Sequence, residues 1–245
     1  MSELPQLPQG FHAAGIVAGI KSSGAKDLAL IKNLGPDLFG TAVFTSNQVV
    51  AAPVTWSHQI IKDSRVEAIL LNSGGANACT GPEGFADTHE SAELVATALG
   101  ISSSDVGICS TGLIGIRLPM EKIRAGVSEI STKLSTEGLR DAAEAIMTTD
   151  SKPKISSHRF NGVLCSGIAK GAGMLAPSLA TMLSVVMIDA RVHAATAVEI
   201  FREVCERTFN RIDSDGCTST NDTVFFLASG ASGITLEDAQ LREML

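Results

Sequence analysis

A layered α/β fold, with strands and helices mixed rather than strictly alternating, is what this 245-residue sequence predicts. Three observations lead there. Short apolar runs of strand length recur along the chain, each bounded by Gly, Pro or Ser. A few longer segments show helical spacing of their apolar residues. Hydrophobic residues make up 44% of the chain and charged ones 18%, enough to bury one large core or two modest ones and too apolar for disorder.

Taken in order, GIVAGI (15–20), DLALIKNL (27–34), TAVFTSN (41–47) and EAILLN (67–72) read as strands. Residues 83–99 form a helix with Ala86, Ala92, Leu94, Val95 and Leu99 on one side and acids on the other. DVGICSTG (105–112) is a further strand ending in small residues. Pro119 at N1 opens a helix over 119–130, and Thr136 starts another over 136–147, with Glu137 in its first turn. GVLCSGIAKG (162–171) and MLSVVMIDA (182–190) are buried strands flanking KGAGMLAPSLATML (170–183). An amphipathic helix over 195–209, the strand DTVFFLASG (222–230) and a last helix over 234–245 complete the chain.

Composition narrows the function. Aromatic residues are 4% of the chain, with one tryptophan (Trp56) and no tyrosine, and the net charge is -7 without a dense Lys/Arg run. Stacking platforms and phosphate-neutralising patches are therefore not expected, and a small-molecule partner is. The five cysteines (Cys79, Cys109, Cys165, Cys205, Cys217) lack CxxC spacing and a companion His at zinc-site spacing, so they read as buried structural thiols in a reducing compartment, with no metal. MSELPQLPQGFHAAG has neither the basic nor the apolar region of a signal peptide, and no run of 18 apolar residues could span a membrane. A cytoplasmic location is the expectation.

Four polar, glycine-bearing loops follow apolar runs: NSGGANACTG (72–81), STGLIG (110–115), MTTD (147–150) and DSDGCTSTND (213–222). Such loops place backbone N–H groups and small polar tips near a ligand, although each alone is also an ordinary turn. GAGMLA (171–176), with Asp189 downstream, imitates a dinucleotide fingerprint, but Pro177 and the strand from Met182 leave no room for the crossover helix. No Walker A and no GxSxG elbow occurs, and the five histidines (His12, His58, His89, His158, His193) sit in polar contexts. A hydroxyl nucleophile would then need another base. Thr181 could supply its own, because the α-amine of a chain terminus has a pKa near 7.7–8.0. In a tight turn its hydroxyl would attack the Ala180 carbonyl, shift the acyl group to oxygen and let water hydrolyse the ester. Gly171, Gly173 and Pro177 restrict the approach to that bond. The plain alternative is a threonine that merely starts a strand.

Together KGAGMLAPSLATML, STGLIG, MTTD, NSGGANACTG and DSDGCTSTNDT, with FTSNQVVAAPV near the N-terminus, closely resemble the ornithine acetyltransferase (ArgJ) family of arginine biosynthesis across essentially the whole chain. Gly75, where other members carry asparagine, suits its actinobacterial branch. The resemblance implies the layered sandwich of the DmpA/ArgJ type. It implies self-cleavage between Ala180 and Thr181, giving an α chain over 1–180 and a β chain from 181, of which 181–245 is the first part. It implies a ping-pong transfer in which Thr181 takes acetyl from N-acetylornithine and passes it to glutamate, with no bound cofactor and with acetyl-CoA an accepted donor in some members. Thr111 and Gly112 would form the oxyanion hole. Thr148, Lys170 and Thr181 would contact substrate, and two α and two β chains would assemble. Family chains run longer than this one, their further part carrying a glutamate beside the nucleophile and an Asn/Thr pair. An incomplete pocket and an uncovered face around Phe225, Phe226 and Leu227 are therefore expected. A hydrolase using the same nucleophile and an inactive fragment are the rival readings.

Overall fold

The computed structural model describes residues 5–173, 182–213 and 215–245. Two sheets stack face to face. The first holds β1 (Phe11–Ile16), β2 (Leu28–Asn33), β4 (Ala68–Gly75) and β5 (Val106–Leu113) in the order β1-β2-β4-β5. The second holds β3 (Phe39–Phe44), β6 (Lys154–Phe160), β7 (Val163–Lys170), β8 (Leu183–Ile188) and β9 (Thr223–Ala228) in the order β3-β9-β8-β7-β6. Within each sheet one pair is parallel, β4 with β5 and β8 with β9, and the other pairs are antiparallel.

Period-two alternation sorts the side chains into layers. Ala29, Ile31, Ile69, Leu71 and Cys109 face Leu183, Val185, Met187, Phe225 and Leu227 between the sheets. Their neighbours Leu28, Leu30, Ala68, Leu70, Val106 and Ile108 point outward against helices α2 (Gly81–Leu99) and α3 (Met120–Ser131). On the far side Ile188, Val224, Phe226 and Ala228 pack against α5 (Ala194–Arg207) and α6 (Asp238–Met244). The result is helix, sheet, sheet, helix, the layered α/β arrangement that the sequence predicts.

Two helices fit closer to the strands. Helix α1 (Ala52–Ile60) lies along the edge of β5, where Ser57 Oγ donates to the Ile108 carbonyl at 2.8 Å and accepts from the Ile108 amide at 3.0 Å. Trp56 Nε1 donates to the Val106 carbonyl at 2.9 Å, so side chains satisfy an edge that could otherwise recruit another strand. Helix α4 (Leu139–Ala145) enters the inter-sheet core, its Ala142, Ala143 and Ala145 fully buried. It approaches β1 so closely that a Cβ on Gly138 would lie 1.8 Å from the Ala13 carbonyl oxygen, and one on Gly15 2.0 Å from that of Asp141. Only glycines allow this contact.

Several sequence expectations are revised. GIVAGI is strand only to Ile16, because the buried Asp27 carboxylate then accepts from the Ala18 and Lys21 amides at 2.6 and 2.8 Å and draws the chain into a loop. Residues 136–138 precede α4 rather than opening it. The sequence pattern does not predict helix α1 or strand β6: β6 is largely exposed, and its KISSHRF lacks the apolar alternation of a half-buried strand. Cys109, Cys165 and Cys205 are buried, but Cys79 and Cys217 are exposed, so the expectation of buried thiols fails for those two.

The largest correction concerns Phe225, Phe226 and Leu227, which are 0% exposed rather than bare. Phe225 fills the space left by Gly107, where a Cβ would lie 2.7 Å from its Cζ. Phe226 stacks on Phe201 of α5 with centroids 5.2 Å apart and meets Phe39 edge-on at 5.8 Å. The final helix lays Leu241 and Met244 onto the same layer. Cover for β9 thus comes from within the chain.

Candidate active site

Strand β5 runs alongside β4 in parallel, and their register slips at Gly74 and Gly75. Gly112 sits at this slip with φ +135°, and a Cβ there would lie 2.5 Å from the Gly74 carbonyl carbon and 2.6 Å from the Gly75 nitrogen. Backbone strain and contact with backbone act together at this position. Gly112→Ala is expected to destabilise the chain by about 2–4 kcal/mol, read as a lower urea midpoint. A midpoint equal to that of the parent would show that β4 and β5 accommodate a side chain at this bulge.

Hydrogen bonds between loops brace the bulge. Ser110 Oγ donates to Asn72 Oδ1 at 2.6 Å, and Asn72 Nδ2 donates to the Gly75 carbonyl at 2.9 Å. Asn221 Nδ2 reaches the Ala76 and Ser110 carbonyls at 2.6 and 2.9 Å, tying the 213–222 loop behind the end of β5. The motifs NSGGANACTG, STGLIG and DSDGCTSTND therefore meet at one end of the sheets.

A cleft of about 740 Å³ opens there, lined by Ile20, Lys21, Ser22, Ser23, Gly74, Thr111, Gly112, Leu113, Thr148, Thr149, Lys170 and Gly173. Its size suits a small molecule. Five residues singled out in the sequence (Thr111, Gly112, Thr148, Lys170 and Gly173) share its wall. Ala180 and Thr181, with the proposed cleavage bond, lie outside the described residues.

Lys170 ends β7 with 2% exposure, and its Nζ donates to Thr111 Oγ1 at 3.3 Å. Burial pushes its pKa down; Asp150 and Asp222 oppose the shift, and Lys154 and Lys21 reinforce it. Asp150 organises the MTTD loop. Its Oδ2 accepts from the Thr148 amide at 3.1 Å, and its Oδ1 accepts from the Gly171 amide at 2.8 Å and from Lys154 Nζ. Burial raises the Asp150 pKa, but these hydrogen bonds outweigh it and hold the carboxyl below its ordinary value.

Asp222 is fully buried at the start of β9. Its Oδ1 accepts from the Met182 amide at 2.8 Å, anchoring the residue after Thr181, and its Oδ2 has no hydrogen-bond partner among the described residues. Burial pushes its pKa up to about 7, against the pull of its hydrogen bonds and of Lys170. A carboxyl raised in the folded state stabilises it fully below the unfolded pKa. That contribution falls as pH rises from about 4 and is gone above about 7. Asp222→Asn is therefore expected to match the parent near pH 4 and to exceed it at pH 8 by a few kcal/mol, measured by urea unfolding at both pH values. Equal stability at pH 8 would mean that Asp222 ionises without cost.

Lys21, Ser22 and Ser23 are the lining residues that the sequence reading passed over. The signal is present, because KSSG is a cation, two hydroxyls and a glycine directly after an apolar run, as in the four polar loops. Of the histidines, His58, His89, His158 and His193 are exposed and His12 is half-buried, and none lines the cleft. Asp189, the would-be nucleotide-binding acid, instead accepts from the Leu164 amide at 2.9 Å.

The sequence model of the ArgJ family matches residues 12–245. The chain belongs to the ArgJ family. Among ArgJ relatives, the arginine biosynthesis bifunctional protein ArgJ of Mycobacterium leprae is 55% identical over 242 residues, covering 96% of this chain and 60% of the relative. That of Thermobifida fusca is 52% identical over 97% of this chain and 62% of the relative. The chain thus spans about 60% of the length of these ArgJ proteins. A crystal structure of ornithine acetyltransferase complexed with ornithine from Mycobacterium tuberculosis is similar with a TM-score of 0.65 and 52% identity, over 70% of this chain and 93% of that one. An ArgJ protein from Bacillus halodurans gives a TM-score of 0.59 at 31% identity, over 72% of this chain and 92% of that one. No helix among the described residues is long and apolar enough to cross a membrane.

Proposed function

We propose that this chain carries the nucleophile-bearing part of a glutamate N-acetyltransferase of arginine biosynthesis, moving acetyl from N-acetylornithine to glutamate through an acetyl-Thr181 intermediate. The observation that carries the reading is the buried Lys170–Thr111 pair beside Gly112, in a cleft with no carboxylate among its lining residues. A buried cation and hydroxyl, held by strands rather than loops, suit a transition state that places negative charge on a carbonyl oxygen. The M. tuberculosis relative is described as complexed with ornithine, which agrees with an amino-acid ligand.

In this reading Thr181 becomes a chain terminus when its hydroxyl attacks the Ala180 carbonyl and water hydrolyses the resulting ester. Its α-amine then accepts the hydroxyl proton as Oγ attacks the acetyl carbonyl of N-acetylornithine. Thr111 and the Gly112 amide face the oxyanion, the C–N bond breaks, and the proton passes to the departing ornithine amine. The amine of glutamate attacks the acetyl ester, and the released threonine oxygen recovers its proton. No bound cofactor takes part, and acetyl-CoA enters only as an alternative acetyl donor. Processed α and β chains would pair as a heterotetramer in the cytoplasm, and Thr148 would position the substrate.

The test is mass spectrometry of the chain after incubation with acetyl-labelled N-acetylornithine in the absence of glutamate. Two chains split after Ala180, with the label on the peptide that begins at Thr181, are expected. A processed chain that never takes up the label would remove the acetyl-transfer reading.

A further inference from the structure

We infer that Lys21 reads a second carboxylate on the acyl acceptor, so that the cleft prefers dicarboxylates to monocarboxylates. The naming of glutamate as that acceptor rests on the acetyl-transfer reading, whereas the preference for a dianion stands on the cleft itself. In a chain of net charge -7, the described lining of this cleft contains two ammonium groups, Lys21 and Lys170, and no carboxylate.

Neither ammonium forms an ion pair among the described residues. Lys170 donates to the neutral Thr111 hydroxyl. Lys21 Nζ donates to the backbone carbonyls of Lys26 at 2.8 Å and Met147 at 2.6 Å, which leaves one of its three N–H bonds uncommitted among the described residues. Of the nearby carboxylates, Asp27 is engaged with the Ala18 and Lys21 amides and Asp150 with Lys154 and the Thr148 and Gly171 amides, whereas Asp222 holds the Met182 amide through one oxygen only, and Asp215 Oδ2 would lie 3.8 Å from a Cβ on Gly173 at the cleft edge. Lys170 is buried and Lys21 half-buried, and both line the cleft with only neutral oxygens as hydrogen-bond partners among the described residues.

The position of Lys21 is built, not incidental. Its stem passes over Gly74, where a Cβ would lie 3.3 Å from Lys21 Cγ. The loop that carries it is fastened to α4 by Lys26, which bonds Asp141 at 2.5 Å and Glu144 at 2.9 Å. Burial lowers the pKa of Lys21, with Asp27 and Asp150 opposing, and the charge of Lys21 in turn lowers that of Lys170. One carboxylate relieves only one of these two like charges, whereas a dianion pairs with both. A ligand whose side chain ends in an ammonium gains nothing from Lys21.

Calorimetry on the 245-residue chain, with glutarate and pentanoate as probes of equal carbon count, tests this. The parent is expected to bind glutarate at least about tenfold more tightly. Lys21→Met should bring the two affinities to within about twofold, and Lys21→Arg should keep the preference. A parent without preference, or a Lys21→Met chain that weakens both ligands equally, would overturn the inference. A parent that prefers glutarate yet never takes up acetyl would sink the acetyl-transfer reading and leave this one standing. If Lys21→Met does not fold, nitrogen-detected NMR of the parent decides: the Lys21 pKa should rise on adding glutarate and stay unmoved by pentanoate. No change with glutarate would refute the assignment.

Discussion

Thr181→Ala is expected to stay a single chain and to transfer no acetyl, because in the proposed reaction one hydroxyl is the nucleophile both for cutting the Ala180–Thr181 bond and for carrying the acetyl group. The local setting supports a demanding role for this position. Its neighbour Met182 is pinned through the amide by the buried Asp222 carboxylate, and Thr223 N donates to the Met182 carbonyl at 2.9 Å. The chain is thus fixed one residue beyond the proposed nucleophile at the mouth of β8. Thr181→Ser keeps a hydroxyl and, once cut, a terminal amine, so it should retain part of both activities. A denaturing gel and a label-transfer assay read these outcomes. Two bands from Thr181→Ala would assign the cleavage to another group.

In the proposed reaction Thr111 is an oxyanion donor, so Thr111→Ala should lower kcat by about 10²–10³, the usual cost of one such donor, with only a modest change in KM. Thr111 is 2% exposed on β5, and its hydroxyl lies 3.3 Å from Lys170 Nζ. A group held this rigidly can favour the charge distribution of the transition state over that of the bound substrate. Thr111→Ser should recover most of the rate, because the hydroxyl and its lysine partner remain. Steady-state kinetics on enzyme of full family length separates the possibilities. A large rise in KM at unchanged kcat would place Thr111 in ground-state binding instead.

By itself the sequence determined most of the strand and helix inventory, because apolar period and Gly/Pro punctuation are local signals that burial on one face imposes. The runs 27–34, 162–171, 182–190 and 222–230 each contain an observed strand, 105–112 covers all of β5 but Leu113, and 83–99 lies within helix α2. The motif order also carried the family, and with it Thr111, Gly112, Thr148 and Lys170, which the fold brings to one cleft. Where local pattern was weak, the reading failed. Strand β6 is polar because it is an exposed edge, and α1 is held by Ser57 and Trp56 through bonds to β5 about fifty residues away. Only tertiary structure could show that Phe225 and Phe226 are covered by opposite layers, since alternate residues of one strand face different partners. The same holds for Lys21, whose ammonium is fixed by the Met147 carbonyl, 126 positions along the chain, and whose charge reaches Lys170 across the cleft. Such groups acquire their chemistry from neighbours that chain folding supplies, and no pattern in the flanking residues encodes who those neighbours are.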